Sequence, residues 1–225
     1  AGRVFIVSDG VFSMDGDLAP VPELVALADR YGAGIILDDA HATGVIGPGG
    51  AGTAARFGLT GRIDVQVGTL SKALGSQGAF VTGSRVLIDY LRNRARSFIF
   101  STAPPPAAVG AALAALRLLR ANPGWVAQLH AKGAYLRDGL AGLGFNVPAG
   151  ETPIIPVLVG DARRAAQLAQ ALLERGVFAP AIRPPSVPPG ESRLRVTVML
   201  SHTGADLDRA LEAFAAAGRR TGVIA

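Results

Sequence analysis

Three short apolar runs end in residues that carry chemistry. Val4–Val7 leads to Ser8 and Asp9, Ile35–Leu37 to Asp38 and Asp39, and Val65–Val67 to Thr69, Leu70, Ser71 and Lys72. Continuous rather than alternating apolar character reads as strands buried on both faces, as in parallel sheets. Between the first two runs a helix is signalled: Pro22 suits a first turn, Leu24, Leu27, Ala28 and Tyr31 share one face, and Gly32 stops it. Strand–helix–strand alternation predicts an α/β sheet. In such sheets ligands gather beyond the carboxyl ends of the strands, and Ser8, Asp38, Thr69 and Lys72 all fall there.

After Ser101–Pro106, a proline-rich STAPPP, the character changes. Ala107–Arg120 reads as a helix, and Asn122-Pro123 opens another to about Leu143. Ile154–Val159 reads as a strand, followed by a helix capped by Asp161 and stopped by Gly176. Arg193–Val198 alternates, with Leu194, Val196 and Val198 on one face. The last helix opens on a Thr203/Asp206 capping pattern and repeats Leu207, Ala210, Leu211 and Phe214 at helical spacing. The expected boundary lies near residues 103–106, dividing a sheet portion (1–104) from a smaller α+β domain (105–225).

Composition narrows the function. Of the 225 residues, 49% are hydrophobic, enough for a real core, yet no apolar run approaches the ~18–20 residues of a membrane span. Cysteine is absent, which excludes disulfides, thiolate chemistry and cysteine-ligated metals. No signal-peptide series opens the chain, so a cytoplasmic protein is expected. The chain also lacks an initiator methionine and starts a strand at Val4, which suggests that further residues precede it. The net charge of +5 concentrates around Arg92, Arg94 and Arg96, but no nucleic-acid-binding motif accompanies it.

Gly68–Gly75 (GTLSKALG) sets Lys72 in a Gly/Ser-rich turn after a buried strand. A lysine amine forms a Schiff base with a carbonyl cofactor when partly desolvated and deprotonated, and Thr69 and Ser71 offer hydroxyls for a phosphate. A solvent-facing lysine fits this local pattern equally well. Leu37–Gly44 (LDDAHATG) puts the Asp38 carboxylate at a strand end with the His41 imidazole three residues on. Pyridoxal phosphate wants this pair: a carboxylate against the pyridine nitrogen makes the ring an electron sink, and the imidazole reaches the ring oxygen. A metal site would need three or four convergent ligands, and His130 and His202 lie far along the chain, so none is expected. In Ser8–Asp17 (SDGVFSMDGD) only Ser8 reads as a cofactor donor; Asp9 and Asp15 read as turn residues. Arg183 precedes two proline pairs, a stiff mount for meeting a carboxylate, and Arg195 projects from the face of its strand opposite the apolar one. Surface arginines are the plainer reading of both.

SDGVFSMDGD, LDDAHATGVIG, GTLSKALG, FIFSTAPPPA, AIRPPSVPPG and SRLRVTV stand in the order found in the α-oxoamine synthases, and the chain resembles that pyridoxal-phosphate-dependent family over essentially its whole length. The resemblance implies a fold-type-I α/β architecture, with part of a large, mostly parallel sheet domain plus a C-terminal α+β small domain. It implies that the chain corresponds to the C-terminal part of such an enzyme. Lys72 would carry the pyridoxal 5'-phosphate, with Asp38 on its ring nitrogen and His41 on its phenolic oxygen. Ser8 and Thr69 would support the cofactor, and Thr102 would reach the phosphate held by the other subunit of a homodimer. Arg195 would hold an amino acid's α-carboxylate, with Arg183 and Ser186 lining the substrate pocket. AIRPPSVPPG favours the branch that condenses L-alanine with a pimeloyl thioester of coenzyme A or acyl carrier protein. A sister condensation using glycine or serine, or an inactive truncated chain, is the alternative. SQGAF (Ser76–Phe80) departs from the glycine-rich run common in relatives, at Gln77.

Overall fold

The computed structural model describes residues 2–225, which form two compact units. The first holds residues up to Phe12 and Leu18–Val126; the second holds Ser13–Asp17 and Ala127–Ala225. The division therefore falls about twenty residues beyond the expected proline boundary. The helix after the prolines stays with the first unit because the Ser76 hydroxyl donates to the Ala108 carbonyl at 2.5 Å.

The first unit runs β1 (Phe5–Asp9), α1 (Val21–Tyr31), β2 (Gly34–Asp38), a 3-10 turn, α2 (Thr53–Arg56), β3 (Val65–Thr69), β4 (Ala79–Gly83), α3 (Arg85–Arg94), α4 (Arg96–Ile99) and α5 (Pro106–Ala121). β1, β2 and β3 are parallel neighbours, and β4 closes the order antiparallel to β3. The three parallel carboxyl ends consequently meet at one sheet edge. Gly32 ends α1 in the left-handed conformation that glycine adopts without a Cβ penalty. Val25 and Ala28 of α1 pack on Ile35 and Leu37 of β2 in a buried cluster.

Burial on both faces of the strands does not hold for β1. Phe5 and Val7 are 51% and 68% exposed while Ile6 packs against the core cluster. Residues alternate faces along a strand, so α1 covers only the Ile6/Ser8 side. The other side carries Asp9, Asp38 and Thr69.

The second unit comprises α6 (Trp125–Gly142) from Ala127 onward, β5 (Ile154–Gly160), α7 (Ala162–Leu173), β6 (Ala181–Ile182), β7 (Ser192–Thr197) and α8 (Gly204–Thr221). Its sheet, ordered β5-β7-β6, is antiparallel. Leu140, Ile155, Leu168, Leu172, Leu194 and Phe214 form its core, with Phe145 and Phe214 rings edge to face at 5.5 Å. The capping signals act as read: the Asp161 carboxylate accepts from Arg164 N–H at 2.7 Å, and Thr203 and Asp206 complete a reciprocal capping box.

Arg137 looks like a surface arginine in the sequence but is 7% exposed. Its guanidinium donates to the carbonyls of Pro148 at 2.8 Å and of Thr152 and Ile154 at 3.1 Å. It fastens the segment that enters β5 onto α6. Arg137→Met keeps the apolar stem and strands three carbonyls, so it should cost about 3 kcal/mol. Thermal denaturation followed by circular dichroism should show a midpoint lowered by roughly 6–12 °C; a drop within the noise of the melt would refute the assignment.

Candidate active site

Strand register decides which candidates share a face. Asp9 is the partner of Asp38, and Asp38 the partner of Val67, across the two parallel pairs. Partnered residues point to the same side, so Asp9, Asp38, Val67 and, two residues on, Thr69 share a face at the carboxyl end of the sheet. Ser8 is the partner of Leu37, whose side chain is fully buried on the α1 side. The Ser8 hydroxyl donates to the Asp9 carbonyl at 2.9 Å instead of reaching the Asp38 side. The expected grouping of Ser8 with Asp38 is therefore corrected, because a shift of one residue along a strand reverses the face.

Asp38 is half-buried, and its Oδ1 accepts from Ala40 N–H at 2.8 Å. That bond pins one carboxylate oxygen at the strand end. The next residue has a different task. Asp39 is 3% exposed and accepts from the Thr53 backbone at 3.0 Å, the Thr53 hydroxyl at 2.5 Å and Gln66 Nε2 at 3.4 Å. Burial pushes its carboxyl above the ordinary range, and the Thr53 and Gln66 bonds act against that rise. A Cβ at Gly52, whose φ is +97°, would collide with Asp39 Oδ2, so the loop depends on glycine there.

His41 follows in a turn anchored by the Asp39 carbonyl, which accepts from Ala42 N–H at 2.9 Å and from Thr43 N–H at 2.8 Å. That places the imidazole, half-buried, just beyond the Asp38 edge. After β3 the Thr69 and Ser71 hydroxyls lie 2.7 Å apart, and Thr69 also donates to the Gly78 carbonyl at 3.0 Å. Lys72 stands exposed in this turn, where Gly75 N–H donates to its carbonyl at 3.0 Å. Thr102 is exposed in the segment between α4 and α5, beside Ser101.

Asp9 is the group that sequence reasoning passed over as a turn residue. Burial, then the Asp38 charge, pushes its carboxyl above the ordinary range, while Lys72 pulls it down. Asp9, Asp38 and Lys72 thus share one electrostatic environment. The signal that could have found it is the two-residue period counted from Asp38's strand partner.

In the second unit, Arg195 lies on β7 opposite Pro156 of β5, on the face away from Leu194 and Val196. Burial lowers the proton affinity of its guanidinium, and its buried Nε has no hydrogen-bond partner. A desolvated cation without a paired carboxylate is a site prepared for an anion. Arg193, on the same strand face, is already committed to Asp15 and Glu191. Arg183 is exposed at a shallow cleft of about 610 Å³ with Asp161, Arg163 and Ala166. Arg195 N–H donates to the Pro180 carbonyl, so Arg183 sits three residues along from that crossing, about 10 Å away. Ser186 N–H donates to the Arg183 carbonyl at 3.0 Å, which closes the turn after β6.

The donor set fits a pyridoxal phosphate: a half-buried carboxylate, an imidazole three residues on, a pair of hydroxyls and an exposed lysine at the carboxyl ends of the strands. Among the described residues, no group of three or more His, Asp or Glu side chains is placed to hold a metal. Nor is any described helix long and apolar enough to cross a membrane.

The profile of the family described as aminotransferase class I and II matches residues 1–214. An 8-amino-7-oxononanoate synthase from Lysinibacillus sphaericus is 50% identical over 223 residues, spanning 99% of this chain and 57% of that protein. One from Geobacter sulfurreducens is 50% identical over 226 residues, spanning 100% and 58%. Among solved structures, a serine palmitoyltransferase from S. paucimobilis with a bound pyridoxal-phosphate–myriocin adduct superposes with a TM-score of 0.93 at 36% identity, over 98% of this chain and 56% of that one. An 8-amino-7-oxononanoate synthase from Francisella tularensis gives 0.81 at 26% identity, over 97% and 64%. The chain thus spans somewhat more than half the length of the curated relatives it matches.

Proposed function

This chain belongs to the aminotransferase class I and II family, and on that premise we propose that it performs the decarboxylative condensation of L-alanine with a pimeloyl thioester, giving 8-amino-7-oxononanoate for biotin synthesis. The observation that carries the reading is the face shared by Asp38 and Thr69, with His41 and Lys72 in the turns that follow their strands. Relatives at 50% identity carry that enzyme name.

Pyridoxal phosphate, when bound, supplies an aldehyde carbon for amines and a pyridinium ring that takes up electron density. Lys72 would hold it through Nζ, and the same amine, when free, would take the α-proton. Asp38 would set its carboxylate against the ring nitrogen. His41 donates to the ring's phenolic oxygen, and Thr69 steadies the phosphate with Ser71 beside it. Thr102 reaches the phosphate in the other subunit of a homodimer. Arg195 binds the amino acid's carboxylate through its desolvated guanidinium until that carboxylate leaves as carbon dioxide. Arg183 and Ser186 line the approach of the acyl chain. The donor is a coenzyme A or acyl-carrier-protein thioester, and the reaction belongs to the cytoplasm.

The likeness to serine palmitoyltransferase favours a second reading, condensation of serine or glycine with another acyl-CoA. A panel of amino acids against acyl thioesters separates the two. Release of labelled carbon dioxide from carboxyl-labelled alanine, dependent on pimeloyl thioester, is the expected result. Release only from serine or glycine would replace this proposal with its sister. Within the same assay, Arg195→Met should raise the alanine concentration needed for half-maximal rate by about 30-fold or more, as expected when one side of a desolvated ion pair is removed. Unchanged alanine dependence would remove Arg195 from the carboxylate site.

A further inference from the structure

Adjacent residues along a strand face opposite ways, and Asp38 and Asp39 divide their tasks accordingly. Asp38 lies on the face that carries Asp9 and Thr69, whereas Gln66, which Asp39 bonds, is the partner of Leu37 on the other face. There the Asp39 carboxylate meets three separate segments of the first unit. Its Oδ1 accepts from the Thr53 hydroxyl at 2.5 Å and its Oδ2 from Thr53 N–H at 3.0 Å, at the start of α2. Oδ2 also accepts from Gln66 Nε2 of β3 at 3.4 Å. Gly10, just past β1, packs against Oδ1 and Gly52 against Oδ2, so closely that a Cβ on either glycine would collide with the carboxylate.

The backbone of the same residue builds the turn that carries His41. Its N–H donates to the Val67 carbonyl at 2.8 Å, which continues the β2–β3 pairing one residue past Asp38. Its carbonyl accepts from the N–H groups of Ala42 and Thr43 and from the Thr43 hydroxyl, the last at 2.9 Å. From the β1 side, Gly10 N–H donates to the Asp38 carbonyl at 2.7 Å. One residue therefore ties the ends of β1 and β3 and the start of α2 to the turn over residues 38–43. We propose that Asp39 is a positioning residue: from the opposite face of the sheet, its three side-chain bonds hold the Asp38 carboxylate and the His41 imidazole in the arrangement the cofactor ring requires.

This deepens the reading of Asp38 and His41 as ring partners and rests on it. The role is geometric, because the Asp39 side chain is buried and spends its oxygens on Thr53 and Gln66. Asparagine can therefore replace it. With the amide nitrogen against the Thr53 hydroxyl and the oxygen toward Thr53 N–H and Gln66, all three bonds remain, since a hydroxyl accepts as well as donates. Alanine cannot. It leaves the N–H and hydroxyl of the fully buried Thr53 without those acceptors, and the loop regains partners only by moving.

The test reads the His41 ring signal in the carbon–proton correlation spectrum of the cofactor-free chain. The histidines are His41, His130 and His202, so His41→Gln assigns the signal by its loss, and the other two report from the second unit. In Asp39→Ala the His41 signal should move by more than its linewidth, with His130 and His202 in place, and Asp39→Asn should keep the parent position. Thr53→Val removes one of the three bonds and should move the same signal by less; it decides the matter if Asp39→Ala does not fold. A His41 signal unmoved in folded Asp39→Ala or in Thr53→Val overturns the proposal, as does equal movement of all three histidines or an Asp39→Asn signal that matches Asp39→Ala. A lowered melt with His41 in place would mark Asp39 as a structural residue only. No cofactor enters the experiment, so its outcome is independent of whether the chain catalyses the condensation.

Discussion

Lys72→Ala is expected to abolish condensation, lowering the rate by at least about 10⁴-fold, because under the proposed function one side chain serves as both covalent anchor and proton acceptor. The fold should survive the change. Lys72 is exposed and packs in no core cluster, so stability should stay within about 0.5 kcal/mol of the parent. That combination distinguishes a chemical role from a structural one. Carbon dioxide release from carboxyl-labelled alanine, together with a thermal melt, measures both quantities on one preparation. Turnover near that of the parent would sink the assignment of Lys72. Loss of turnover with a collapsed melt would show that the residue supports the fold instead.

Asp38→Asn carries the next largest effect. The amide keeps the shape and an oxygen able to accept from Ala40 N–H, and it removes only the negative charge. If that charge keeps a proton on the cofactor's ring nitrogen, the ring loses its power to take up electrons when alanine is deprotonated. Exchange of the alanine α-proton with deuterated solvent should then fall by about 10²–10³-fold, the range expected for removing one preorganised electrostatic partner. The loss should appear in the maximal rate, with the concentration dependence on alanine little altered, because Asp38 does not touch the substrate carboxylate in this account. A loss confined to alanine affinity would place Asp38 elsewhere.

Most of this site is legible from the sequence because three strand ends each deliver a chemical group, and parallel strands deliver them to one edge. Facing is harder to read. Val4–Val7 is unbroken apolar residues, so nothing local tells whether Ser8 or Asp9 turns toward Asp38. The answer comes from the pairing with β2, a contact between residues some thirty positions apart. The same continuity suggested a strand buried on both faces, whereas Phe5 and Val7 are exposed and only the α1 side is packed. Arg137 escaped notice for a related reason. Its role is to bond carbonyls of Pro148, Thr152 and Ile154, and backbone groups leave no signature in side-chain patterning. Where Arg195 stands relative to Arg183 depends on how β6 and β7 register, which periodicity alone does not fix.

The central claim is that Lys72 is the lysine that holds the cofactor, and borohydride reduction tests it most directly. The chain is incubated with pyridoxal phosphate, reduced, digested and analysed for a peptide bearing the reduced cofactor. The account predicts the added mass on Lys72, with Lys132 unmodified where its ammonium is bound by two carbonyls. Modification at Lys132 in preference to Lys72, or an unmodified Lys72 at saturating cofactor, would contradict it.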